Sequence, residues 1–198
     1  MIDKRAPLRR YVQDMTELVN ATDRESELLA SGRTLLAGLV RDDGWLPVKY
    51  AVPRPDRYAQ YLLHCDPLER FSMVSFVWGP GQRTPVHNHT VWGLVGVLRG
   101  AEQTEEYSLH EGIPVATGNS RVMLSGDVDA VSPTVGDWHR VTNTSGDVSV
   151  SIHVYGGNVG ALHRRRLDEE SGRLVDFLSG YDNTAVPNIW GGSAATPC

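Results

Sequence analysis

From Trp45 onward the chain breaks into short runs rich in β-branched and aromatic residues: YLLHC, FSMVSFVWG, PVHNHTVWGLVGVLRG, EQTEEYSL, RVMLSGDVDAV, HRVTN and VSVSIHVYGG. Gly, Pro, Asn and Asp separate them. Runs so punctuated are too short for stable helices, and short strands at regular spacing predict an antiparallel sandwich or barrel. Before Trp45 the period is helical. Leu8, Tyr11, Val12, Met15, Leu18 and Val19 recur at helical spacing and predict a helix over 8–21. A second is predicted over 24–41, with Leu28, Leu29, Leu35, Leu36, Leu39 and Val40 on its apolar side, Asp23 as N-cap and Gly44 beyond its end. LDEESGRLVDFL reads as a short helical segment in the tail. The expected organisation is one mainly β domain: a helical cap over 1–45, a barrel over about 46–166 and a C-terminal extension over 167–198.

The chain's 198 residues suffice for one sizeable core. A formal charge of -5 offers no broad basic face, which argues against a nucleic-acid partner. The densest basic run, HRRRL around Arg164, Arg165 and Arg166, reads first as a solvated edge beside an acidic DEE. No stretch approaches the roughly 20 apolar residues of a membrane span, and the N-terminus lacks a signal-like apolar run, so no membrane partner and a cytoplasmic location are expected. With Cys65 and the terminal Cys198 as its cysteines, the chain predicts no disulfide framework. Cys65 reads as a small buried apolar residue. Nothing in the pattern specifies an oligomeric state.

Candidate chemistry starts with His87 and His89. On a strand they share one face, and GDWHRVTN adds His139 some fifty residues later. Three neutral imidazoles form a metal site with open coordination positions. Without a carboxylate ligand, such a site keeps the full divalent charge and accepts an anion such as a thiolate. Zinc also suits three histidines. His64, His110 and His163 read as ordinary histidines, because nothing places them on that face. A second constellation lies in SVSIHVYGG, where Ser151, His153 and Tyr155 alternate with Ile152 and Val154. On a strand they form a row able to relay hydrogen bonds, or else the polar face of an exposed strand.

Gly81, His87, His89 and Gly100, followed by Gly136, His139 and Asn143, resemble the two motifs of the cupin superfamily, jelly-roll β-barrels that hold a metal. Two departures stand out. Gly93 occupies the position of the usual glutamate ligand, and Pro133 is displaced to three residues before Gly136. HNHTVWG, GDWHRVTN and SIHVY, in this order, more closely resemble the thiol dioxygenases of the cysteine dioxygenase family, from about Tyr58 to Tyr155. The resemblance implies a cupin jelly-roll barrel with an N-terminal helical cap, Fe(II) on His87, His89 and His139, and Ser151, His153 and Tyr155 as an outer catalytic triad. The reaction it implies is oxidation of a thiol by O2 to a sulfinic acid.

The resemblance also addresses the substrate. Gln60, in the context Tyr58-Ala59-Gln60, stands where animal-type members carry a carboxylate-gripping arginine, and no cysteine follows the HxH pair to cross-link Tyr155. Both features resemble the bacterial 3-mercaptopropionate dioxygenase branch. That branch implies an arginine soon after the triad, taken as Arg164, with Arg165 and Arg166 left at the surface. Gln60 and Arg164 are then the expected carboxylate-binding residues. The competing readings are the same chemistry on L-cysteine, a zinc- or manganese-dependent cupin enzyme, and a non-enzymatic cupin sensor.

Overall fold

A computed structural model describes residues 3–190. Two helices come first, α1 (Ala6–Ala21) and α2 (Glu25–Leu39). Ten strands follow: β1 (Ala59–Cys65), β2 (Ser72–Trp78), β3 (Gly93–Arg99), β4 (Ala101–His110), β5 (Ile113–Leu124), β6 (Val128–Val131), β7 (Trp138–Asn143), β8 (Ser149–Tyr155), β9 (Arg164–Asp168) and β10 (Arg173–Phe177). All strand pairs are antiparallel. One sheet has the order β1-β2-β8-β3-β6, a second β5-β4-β7, and β9-β10 form a hairpin. This mainly β arrangement of antiparallel sheets under two N-terminal helices agrees with the jelly-roll barrel expected from the sequence. Among the described residues, no helix is long and apolar enough to cross a membrane.

The helices pack on one face of the five-stranded sheet. Leu8, Tyr11, Val12 and Met15 of α1 and Leu36 and Leu39 of α2 join Val150, Ile152 and Val154 of β8 in the main core. At Gly32 of α2, a Cβ would lie 2.7 Å from Leu94 Cδ1, so the missing side chain lets α2 sit directly on β3. α1 begins two residues before the expected start because Pro7 suits the first turn, where its missing N–H is no loss. α2 begins after Arg24 rather than Asp23, since Thr22 Oγ1 accepts the Arg24 N–H (3.1 Å) and delays helix entry.

Three local expectations are corrected. His87 and His89 lie on no regular strand. Residues 81–87 run beside β7 through backbone bonds at Gly81–Asn143 (3.2 Å), Thr84–Val141 (2.9 Å) and His87–His139 (3.0 Å). Three residues of this segment thus pass two of β7 at each step, which breaks a regular ladder. LDEESGRLVDFL is not helical but spans the β9–β10 hairpin, turning at Gly172 with φ of 65°. β9 is held extended by distant backbone partners, with Leu167 N–H donating to Val86 O (2.8 Å) and Asn88 N–H to Arg165 O (3.1 Å). Cys65 is half-buried and a free thiol rather than fully interior; Cys198 lies outside the described residues.

Candidate metal centre

The HxH segment is clamped from both sides. His87 exchanges backbone hydrogen bonds with His139 of β7 (3.0 and 3.1 Å), while Asn88 and Leu167 tie the segment to β9. The His87, His89 and His139 rings stand mutually edge-on, with centroids 4.7–4.9 Å apart. One nitrogen from each lies within 4.8 Å of the others, and all three residues are buried. Burial pushes all three rings below the ordinary imidazole pKa, so they stay neutral and offer a lone pair.

Their tautomers are set by neighbours. Pro85 O accepts from His87 Nδ1 (3.0 Å), which leaves Nε2 as the free lone pair. Asp137 Oδ1 accepts from His89 Nδ1 (3.2 Å) and from the His89 backbone N–H (2.7 Å), and Oδ2 accepts from Thr90 N–H (3.3 Å). Burial opposes ionisation of Asp137, but the His89 and backbone hydrogen bonds outweigh it and hold the carboxyl below its usual range. His89 Nε2 and His139 Nδ1 are buried without a hydrogen-bond partner. An unpartnered buried ring nitrogen is costly. A divalent metal on the three-imidazole set would give His89 Nε2 its missing partner, so these residues fit such an ion. A carboxylate orienting a ligating imidazole is a recurrent feature of such sites. Sequence reading missed Asp137, although it stands two residues before His139.

Ser151, His153 and Tyr155 form a connected row. Ser151 Oγ and His153 Nε2 are 2.8 Å apart, His153 Nδ1 and Tyr155 Oη 2.8 Å, and Trp78 Nε1–H donates to Ser151 Oγ (3.2 Å). All of β8 is buried on both faces, so this row is no solvent face. Tyr155 stacks on His89 with centroids 5.4 Å apart, which brings the row against the histidine cluster. Burial drives the His153 pKa down to about 3 and raises that of Tyr155. The imidazole is therefore neutral and the phenol protonated near neutral pH.

Gly93 makes room for this packing. A Cβ there would lie 2.8 Å from Tyr155 Cδ1 and 2.9 Å from Val131 Cγ2, so any side chain at this position meets the tyrosine ring.

Beside the cluster opens a cavity of about 650 Å³, lined among others by Gln60, Phe76, His87, Tyr155, Arg164 and Phe177. Arg164 is buried, with Nη2–H donating to Ser179 Oγ (2.7 Å) and the guanidinium 4.7 Å from the Phe177 ring centroid. Its Nε is buried and unpartnered, and the group forms no ion pair among the described residues. Gln60 is buried too, its backbone N–H donating to Asp182 Oδ2 (2.7 Å). Arg165 is exposed as expected, but Arg166 lines the cavity instead of belonging wholly to the surface. His64 packs beside Phe71, His110 and His163 are exposed, and none of the three joins the cluster.

No protein-family model matches the chain. Solved structures similar to it include an uncharacterized conserved protein with a double-stranded β-helix domain from Klebsiella pneumoniae, at 18% identity, covering 57% of this chain and 89% of that one (TM-score 0.47). A Cupin 2 conserved barrel domain protein from Salinispora arenicola is similar at 22% identity, over 57% of this chain and 87% of that one (TM-score 0.43). A recombinant oxalate oxidase in complex with glycolate is similar at 19% identity; the match spans 52% of this chain and about half (53%) of that one (TM-score 0.43). The chain's own geometry shows a mainly β barrel whose buried three-histidine cluster can hold a metal ion.

Proposed function

We propose that the protein is an Fe(II)-dependent thiol dioxygenase that oxidises a small carboxylate-bearing thiol, with 3-mercaptopropionate favoured. One observation carries this reading. The three-imidazole cluster through His87, the hydroxyl row through Tyr155 and the buried Arg164, which has no ion pair among the described residues, all reach one cavity. The reaction, R–SH + O2 → R–SO2H, places both oxygen atoms on sulfur and needs no external reductant. Fe(II) on His87, His89 and His139 would supply the open positions at which a thiolate and O2 come together.

The chain's own residues do the rest. Arg164, a buried cation without a carboxylate partner, favours an anion in the cavity and can pair with a carboxylate in bidentate fashion. Gln60, which also lines the cavity, adds an amide donor. Tyr155, kept protonated by burial, has a hydroxyl proton to donate toward sulfur or oxygen, and His153 and Ser151 hold that hydroxyl in place. Phe76, Pro85 and Phe177 present apolar surface that limits water. Of the four arginines lining the cavity, Arg57 pairs with Asp182, Arg83 with Glu169 and Arg166 with Asp168, which leaves Arg164 as the uncompensated cation among the described residues. That uncompensated positive charge disfavours an ammonium group, which favours 3-mercaptopropionate over L-cysteine.

The test is O2 uptake by iron-loaded protein with 3-mercaptopropionate, L-cysteine and cysteamine, with product identification. The expected result is sulfinate carrying both atoms of O2, with highest efficiency for 3-mercaptopropionate and lowest for cysteamine, which lacks a carboxylate. Thiol binding without O2 consumption would overturn the enzymatic reading in favour of a sensor. Turnover supported by zinc or manganese but not iron would point to different cupin chemistry.

A further inference from the structure

The row on β8 continues past Ser151. Ser149, Ser151, His153 and Tyr155 all point to the barrel interior, and facing the two serines from the opposite sheet is Glu102 of β4, only 1% exposed. Ser149 Oγ–H donates to Glu102 Oε1 (3.1 Å), while Oε2 is buried without a partner. Ser151 is the carboxyl group's other hydroxyl neighbour. Its strand partners are Met123 on β5 and Asn143 on β7, neither titratable, and among the described residues no cation is paired with it. Tyr155 is the titratable group that its charge reaches. A buried, unpaired acid with one free oxygen at the end of a hydrogen-bonded row is a poor stabiliser of the fold.

We propose that Glu102 is a positioning residue: through Ser151 and His153, its protonation state decides whether the Tyr155 hydroxyl donates into the metal-site cavity or back to His153. Hydrogen-bond accounting gives the mechanism. Trp78 Nε1–H donates to Ser151 Oγ in either state, leaving Ser151 one proton to give and one lone pair to fill. With Glu102 protonated, its O–H fills that lone pair. Ser151 then donates to His153 Nε2, His153 Nδ1–H donates to Tyr155, and the tyrosine proton is free to point into the cavity. With Glu102 ionised, Ser151 donates to the carboxylate and accepts from His153 Nε2–H. Tyr155 O–H now donates to His153 Nδ1 and presents only lone pairs to the cavity. One proton leaves Glu102 for solvent; Ser151, His153 and Tyr155 keep their proton counts, and the imidazole exchanges tautomer. Burial pushes the Glu102 pKa up to about 7 against the opposing effect of the two serine hydroxyls, so both states are populated near neutrality.

The consequence for turnover rests on the thiol dioxygenase reading; the tautomer exchange does not. The test is therefore histidine side-chain nitrogen NMR on the zinc-loaded protein from about pH 5 to about pH 9, with His153 assigned by its loss in His153→Gln. The expected result is a switch of the His153 proton from Nδ1 to Nε2 as pH rises through neutrality. Glu102→Gln, whose amide donates permanently, should abolish the switch. Ser149→Ala removes a hydrogen bond to the ionised form, so it should raise the midpoint by about one pH unit. A His153 tautomer constant with pH, or a switch unchanged in Glu102→Gln, overturns the proposal. Should that variant fail to fold, an unmoved midpoint in Ser149→Ala overturns it equally. In iron-loaded protein, kcat should fall as pH rises through the same midpoint. A tautomer switch without thiol oxidation would refute the dioxygenase reading and leave the role of Glu102 standing.

Discussion

Gly93→Ala tests whether close packing of Tyr155 against the histidine cluster matters. The added methyl would sit 2.8 and 2.9 Å from Tyr155 Cδ1 and Cε1 and 2.9 Å from Val131 Cγ2. Carbon atoms prefer about 3.5–4.0 Å, so the neighbours must yield by roughly 0.6–1.2 Å. The ring has little freedom to do so, because it stacks on His89 and its hydroxyl is held 2.8 Å from His153 Nδ1. Overpacking of this kind costs about 1–3 kcal/mol. For a chain this long, that lowers the melting temperature by roughly 2–12 °C. A shift near 1 Å at a group touching the reacting atoms lowers turnover on the order of 10²-fold. Thermal melts of the zinc-loaded protein and steady-state kinetics of the iron-loaded protein measure the two effects. Adding Val131→Ala removes one of the two clashes and should recover part of the stability, the mark of coupled neighbours. If Gly93→Ala melts and turns over like the parent, then Tyr155 is not held as described and the packing argument fails.

Asp137→Asn keeps the shape but weakens the acceptor for His89 Nδ1–H, so metal affinity should fall about 10–100-fold in chelator competition; unchanged affinity would remove Asp137 from the site. Arg164→Met should raise KM for 3-mercaptopropionate with a smaller effect on kcat and leave cysteamine kinetics untouched. An equal loss with both thiols would mean that Arg164 does not read the carboxylate. Away from the site, the Arg70 hydrogen bond to buried Asp66 holds its carboxyl at about 2, below the unperturbed 3.8. A folded-state pKa below the unfolded one means the stabilisation is fully present above about pH 4 and is lost as pH falls through about 2. Asp66→Asn should accordingly cost about 1–3 kcal/mol at neutral pH, and the gap should close near pH 2 in urea titrations; a gap independent of pH would refute the charge argument.

Much of the barrel and part of the site were legible in local pattern. Alternation in SVSIHVY put Ser151, His153 and Tyr155 on one face, and β8 does carry them in a hydrogen-bonded row. Helical spacing identified α1 and α2 to within a few residues. The histidine spacing singled out the three rings that the fold brings together, though not for the reason that alternation suggested. His87 and His89 converge because one is bonded to the His139 backbone and the other to the Asp137 side chain, on a bulged segment outside any strand.

What periodicity encodes is a residue's relation to its chain neighbours, and that suffices for strand faces, helix faces and ligand types. Contacts between distant segments leave no such trace. The LDEESGRLVDFL segment carries a helical pattern, yet β9 is extended because the backbone of Val86 and Asn88, some eighty residues away, supplies its partners. Arg164 and Arg165 are adjacent members of one basic run. Strand pleating turns one into the cavity and the other to solvent, and only the docking of β9 settles which. Asp137 and Glu102 look like ordinary acids in a strand-rich sequence. The first matters because β7 brings it to His89, and the second because closure of the two sheets sets it against Ser149 and Ser151. The residue types for a three-imidazole site were set by sequence alone; which tautomers they hold, and which charges face them, was decided by tertiary packing, because hydrogen-bond geometry and burial exist only once the sheets close.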